Sequence, residues 1–156
     1  MTGPANSTAP LIEAMLNAPK TALRWSGWQP RMNHAGHLIG VADLVDAAGI
    51  TLPGLTVQIE IKAPILVVSC LYLFSIMQLA GKERRPVYQL EVTPAGKRSH
   101  NGLVPLYGPH EHVGALEPVS VNHPSVNCDD WDGCLGWFFT RTSILPFDPS
   151  NPLVSQ

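Results

Sequence analysis

Apolar and polar side chains alternate with period two through the middle of the chain. After a Pro53-Gly54 turn, Leu55, Val57, Ile59 and Ile61 fall on one side, and Thr56, Gln58, Glu60 and Lys62 on the other. That pattern predicts a half-buried β-strand over Leu55–Lys62. Ala63–Ala80 follows as 18 residues without a charge. In it Val68, Cys70, Tyr72, Phe74 and Ile76 alternate with Ser69, Leu71, Leu73, Ser75 and Met77, which predicts a central strand with apolar groups on both faces. The strand runs into a turn at Gly81 and pairs with Leu55–Lys62 on one side and Val87–Thr93 on the other. The same 18 residues sit at the lower length limit for a membrane-spanning helix, with Lys82-Glu83-Arg84-Arg85 as a flanking anchor. Pro64, Ser69, Ser75 and Gln78, with the β-branched Ile65, Val67 and Val68, favour the strand, so a span at 63–80 is the minor alternative.

Helical spacing marks both ends of the chain. Leu11, Ile12, Met15 and Leu16 predict a short amphipathic helix capped by Thr8, with Pro10 in its first turn and Pro19 stopping it. Near the other end Trp131, Leu135 and Phe138 form a stripe over Asp129–Thr140, with Asn127 as cap and Asp129 and Asp130 at the positive end of the helix dipole. Thr21–Trp28 reads as a strand and Gln29–Gly36 as a loop. His37–Ala48 fits a strand through Ile39, Val41 and Val45, and a helix through Ala42, Ala47, Ala48 and Gly49; the clean strand that follows favours the former. Pro94–Pro109 reads as a long loop opened by a proline.

Short turns between five strands leave no room for crossover helices, which excludes a doubly wound parallel sheet. The expected fold is α+β: an antiparallel meander of five or six strands, open or closed to half a barrel, with a short N-terminal helix and a C-terminal helix. With 156 residues, one domain over 1–156 is expected, with 1–8 and 146–156 as flexible tails.

Charge changes the picture in one respect. Only 14% of residues are charged and the net charge is −2, which excludes whole-surface phosphate binding and disfavours nucleic acid as a partner. The charges are segregated: Arg141 is the only basic residue after Arg98, against Glu111, Glu117, Asp129, Asp130, Asp132 and Asp148. His100, His110, His112 and His123 lie in that same acidic third. Cys70, Cys128 and Cys134 cannot all pair with one another, and no Cys-x-x-Cys occurs. A Cys128–Cys134 disulfide would need an oxidising compartment. Met1–Pro10 has neither a basic nor an apolar leader segment, so free thiols in a cytoplasmic setting are the expectation.

Ser99–Cys134 is the stretch that carries chemistry. In an extended segment His110 and His112 share one face while Glu111 points away. Two imidazoles and a carboxylate are the minimal protein set for zinc or non-haem iron. Glu117 and His123 are the candidate further ligands, and His100 is the candidate general acid or base. His110-x-His112 followed by Glu117 echoes the cupin pattern, but the glycines and the intervening strands of a cupin are missing. His100-Asn101, Gly108-Pro109-His110-x-His112 and Asp130-Trp131 together resemble a segment shared by small uncharacterised bacterial proteins, a resemblance that implies no activity. Two readings follow. One is a small accessory or binding domain with a histidine-rich surface site and a protein partner. The other is a metal-dependent hydrolase, nucleases included, using zinc, iron or manganese at His110 and His112.

Overall fold

In the computed structural model, which describes residues 4–62, 69–100 and 105–150, helix α1 (Pro4–Asn17) leads into β1 (Lys20–Leu23), β2 (Gln29–Pro30), β3 (His37–Asp46), β4 (Thr51–Lys62), β5 (Tyr72–Ala80) and β6 (Glu83–Val92). There follow β7 (Arg98–His100), β8 (Leu106–Tyr107), β9 (His110–Val113), β10 (Val119–Ser120) and helix α2 (Trp131–Thr142). The fold is α+β. Its main sheet is antiparallel in the order β1-β3-β4-β5-β6-β9-β10, with β2 also paired to β3. Eight strands among the described residues exceed the expected five or six, because short strands extend the meander at both edges.

Period-two alternation in β4, β5 and β6 builds the core by register. Val57 pairs with Ile76 and Ile76 with Tyr88; Ile59 pairs with Phe74 and Phe74 with Leu90; Ile61 pairs with Tyr72 and Tyr72 with Val92. All nine side chains are fully buried. Trp131 and Phe138 of α2 pack on the rings of this layer, with centroids 5.4 and 5.5 Å from that of Phe74. At roughly 2 kcal/mol per buried large side chain, this block is the main source of stability. The Tyr72 hydroxyl donates to Cys128 O at 3.0 Å, finding its partner in the loop before α2 and not at a sheet edge.

The minor alternative, a spanning helix at 63–80, is overturned by β5. Residues 72–80 are hydrogen-bonded to strands on both sides, and among the described residues no helix is long and apolar enough to cross a membrane. The Ala63–Val68 part of the expected strand lies outside the described residues. The face of β5 away from the helices is less apolar than expected: Leu73 and Met77 are half-buried there, with Ser75 between them.

Several boundaries moved for local reasons. Helix α1 starts at Pro4, within the segment expected as a tail, and takes Pro10 inside it. Its carbonyl end is capped by Lys20, whose Nζ donates to Met15 O, Leu16 O and Ala18 O. The strand expected at Thr21–Trp28 breaks after Leu23, where Arg24 takes φ 60° and Gly27 φ 76°; β2 then begins inside the expected loop. Residues 37–46 are strand, paired on both sides. The loop 94–109 carries the β7–β8 hairpin, which forms its own two-stranded sheet. Asp130, not Asn127, caps α2 by accepting from Gly133 N at 2.7 Å; Asn127 Oδ1 accepts from Asp129 N in a preceding turn. The expected tail is packed as far as Ser150: Phe147 lies 5.2 Å from the Phe139 ring, and Ser150 O accepts from Trp28 Nε1 at 2.8 Å.

The expectation of free thiols is corrected for two of the three cysteines. Cys70 and Cys128 form a disulfide with Cα atoms 5.9 Å apart, while Cys134 is a buried free thiol. The bond ties the entry to β5 to the loop before α2. Strand order brings these two cysteines together; proximity in sequence favoured the other pair.

Candidate metal centre

The site is built on the face of the sheet opposite α1 and α2. In β6 the core residues Tyr88, Leu90 and Val92 alternate with Gln89 and Glu91, which turn to the other side. Strand β9 continues the sheet, with Glu91 opposite His110 and Gln89 opposite His112. Glu111, between the two histidines, points to the helix side. There its carboxylate accepts from Arg141 Nε of α2 at 3.0 Å, and the same guanidinium donates to Glu13 of α1 at 2.9 Å. This partly buried three-way pairing anchors the middle of β9 from behind and fixes which face His110 and His112 occupy.

One ligand atom from each of Glu91, His110 and His112 lies within 4.8 Å of the others. His110 is 1% exposed, and its Nε2 lies 3.9 Å from Glu91 Oε1. The two imidazole centroids are 4.9 Å apart. On its far side His110 Nδ1 meets Gly108 O at 3.2 Å and Ser99 Oγ at 3.1 Å. A carbonyl oxygen only accepts, so Nδ1 carries a proton, and in the neutral ring the lone pair falls on Nε2, toward Glu91. Such anchoring of the remote nitrogen is how proteins orient a metal-binding imidazole. Ser99 also donates to Gly108 O at 2.8 Å, and Gly108 itself takes φ +75°, with the Ala95 backbone 3.0 Å from where a Cβ would stand.

Of the residues singled out in the sequence, the structure brings His110 and His112 together. Glu117 is exposed in the turn between β9 and β10. His123 is exposed too, and its Nδ1 accepts from Ser125 N at 3.1 Å within its own loop; neither belongs to the cluster. His100 ends β7, and its side chain lies outside the described residues. Glu91 was missed by sequence reasoning. Its only signal was a carboxylate on the polar side of a predicted strand, which becomes meaningful once β9 is known to pair with β6 across the intervening hairpin.

Compared with protein-family models, with curated proteins and with solved structures, the chain matches none. No activity is identified by these comparisons, and neither they nor the described residues indicate a partner. The expected protein partner is therefore withdrawn along with the spanning helix. The aromatic strand residues on which it partly rested are taken up by the protein's own packing: those of β5 and β6 face α2.

Proposed function

We propose that the protein is a divalent-metal-binding domain whose ion is held by Glu91, His110 and His112. The observation that carries the reading is the convergence of these three donor groups on paired strands. The residues fit the ion. Two imidazole nitrogens and one carboxylate oxygen suit zinc, iron or manganese, and donors within 4.8 Å of one another would draw together by about an ångström, through side-chain rotation, to meet an ion at bonds of about 2.0 Å. The anchored Nδ1 of His110 supports the same reading, because it directs the other nitrogen into the cluster.

A bound divalent cation supplies Lewis acidity. The chain's own part is to orient: Ser99 and Gly108 hold the His110 ring, and Arg141 through Glu111 holds the strand. Hydrolysis is not part of the proposal: the side chain of His100, the expected general acid or base, lies outside the described residues, so no proton-transfer group is assigned beside the three donors. The Cys70–Cys128 disulfide supports a setting oxidising enough to preserve it, in place of the cytoplasmic expectation.

The test is metal content of protein purified without a histidine tag and then titrated with zinc, manganese or ferrous iron. One equivalent per chain is expected, lost in His112→Gln. Less than about a tenth of an equivalent under metal-replete conditions would remove the proposal, because a specific site should fill.

A further inference from the structure

We infer that a second site, a phosphate-binding site, lies on the same sheet face around Arg31, His37 and Lys62; it does not depend on the metal reading. Its floor is Glu60 in β4, a carboxylate only 2% exposed. A single nitrogen of Arg31, Nη1, donates to both of its oxygens at 2.8 Å, and His37 Nδ1 donates to Oε2 at 2.7 Å. Arg31 and His37 are held opposite one another at the mouth of the β2–β3 hairpin, where Arg31 N donates to His37 O at 2.9 Å. Lys62 is the register partner of His37 and shares a face with Glu60 two residues away.

A buried carboxylate away from the core is costly, and apolar replacements are commonly neutral or stabilising, so its presence here points to a use. The charge count says which. Arg31 and Lys62 against Glu60 leave one positive charge in excess, and Lys62 is exposed with no ion pair among the described residues. That excess repels a cation and attracts an anion. The hydrogen-bonding valences narrow the choice further. Arg31 keeps Nε and Nη2 outside its bond to Glu60, giving an edge that matches two oxyanion oxygens. A carboxylate can only accept, so the His37 proton is on Nδ1, and the neutral ring presents Nε2 as an acceptor. Two or more donors beside one acceptor fit a phosphate that still carries a P–O–H: its oxygens accept from Arg31 and Lys62, and its hydroxyl donates to His37. Inorganic phosphate and a phosphate monoester share this chemistry. Sulfate has the same shape and no proton to give near neutral pH.

The test is isothermal titration of the full chain at pH 7 with inorganic phosphate, glycerol phosphate and sulfate, alongside nitrogen NMR of the histidine rings. Saturable phosphate binding that moves the His37 Nε2 resonance is expected, with sulfate roughly tenfold weaker because it offers the half-buried Nε2 acceptor no proton. Tighter binding of glycerol phosphate than of phosphate assigns the site to monoesters, and the reverse to the free anion; either supports it. Lys62→Gln, an exposed change that leaves Glu60 and its partners intact, should weaken phosphate severalfold. His37→Asn should abolish the preference over sulfate, while His112→Gln should change neither. Failure of phosphate to saturate, equal affinity for sulfate, or unchanged binding in both Lys62→Gln and His37→Asn would overturn the inference, whatever the outcome of the metal titration.

Discussion

Glu91 and His110 face each other as register partners on neighbouring antiparallel strands, with 3.9 Å between Oε1 and Nε2. Eighteen residues of intervening chain, including a separate hairpin, lie between them in sequence. Their opposition arises because β6 skips β7 and β8 to pair with β9.

That pairing selects Glu91 over Glu117, the carboxylate to which the sequence alone pointed. Glu91→Gln should lower zinc affinity by at least the ten- to hundredfold that losing a ligand's outer hydrogen-bond partner costs, while Glu117→Gln should leave it unchanged. Competition with a chromogenic chelator measures both. Equal loss in the two variants would place the third donor elsewhere.

Arg141 holds Glu111 and Glu13 together across β9, α2 and α1 and stands 5.4 Å over the Tyr88 ring. Arg141→Met should cost about 1–3 kcal/mol by urea denaturation, since Glu111 is left partly buried without its partner. Metal affinity should fall with it, because Glu111 sets the facing of both histidines. A variant as stable as the parent would show the pairing to be incidental.

The disulfide closes a span of 58 residues. Cys70→Ala with Cys128→Ala should lower stability by about 2–4 kcal/mol on chain-entropy grounds. Thiol titration in denaturant should find one reactive group before reduction, Cys134, and three after it.

Alkaline stability should fall in an ordered way. Burial raises the Cys134 thiol from 9.0 to about 12 and the Tyr72 hydroxyl from 10.0 to about 12. Both groups keep their protons longer folded than unfolded, so the stability they contribute is complete below pH 9 and is lost as pH climbs toward 12. Lys20 has the opposite sign: burial lowers it from 10.5 to about 8, the unfolded chain holds the proton longer, and its contribution improves between those values. Denaturant melts from pH 7 to 11 should therefore show a shallower loss above pH 9 in Cys134→Ala. The stability difference between the parent and Lys20→Met should move in the parent's favour from pH 8 to 10.5. Parallel curves for all three proteins would contradict these assignments.

Trp25 lies against Gly40 so closely that an added Cβ would overlap its ring. Gly40→Ala should destabilise the fold by about 1–3 kcal/mol through overpacking and shift tryptophan fluorescence. Gly136→Ala in α2, where a Cβ meets open space, is the control and should be neutral or slightly stabilising.

Local pattern was enough for the elements that repeat a simple period. Leu55 to Ile61 and Tyr72 to Ile76 announce strands because alternation puts every second side chain on a buried face, and Trp131, Leu135 and Phe138 announce a helix in the same way. The α+β class, the antiparallel meander and the shared face of His110 and His112 all follow from such spacings, since they depend on neighbours in the chain. Everything that depends on which strands meet was decided by tertiary structure. Glu91 became a possible ligand, Glu60 a buried carboxylate between Arg31 and His37, and Cys70 the partner of Cys128 only when the strands took their order and register. A strand's own residues state which face each side chain takes, but the neighbour supplied to that face is chosen by the packing of the whole sheet against its helices.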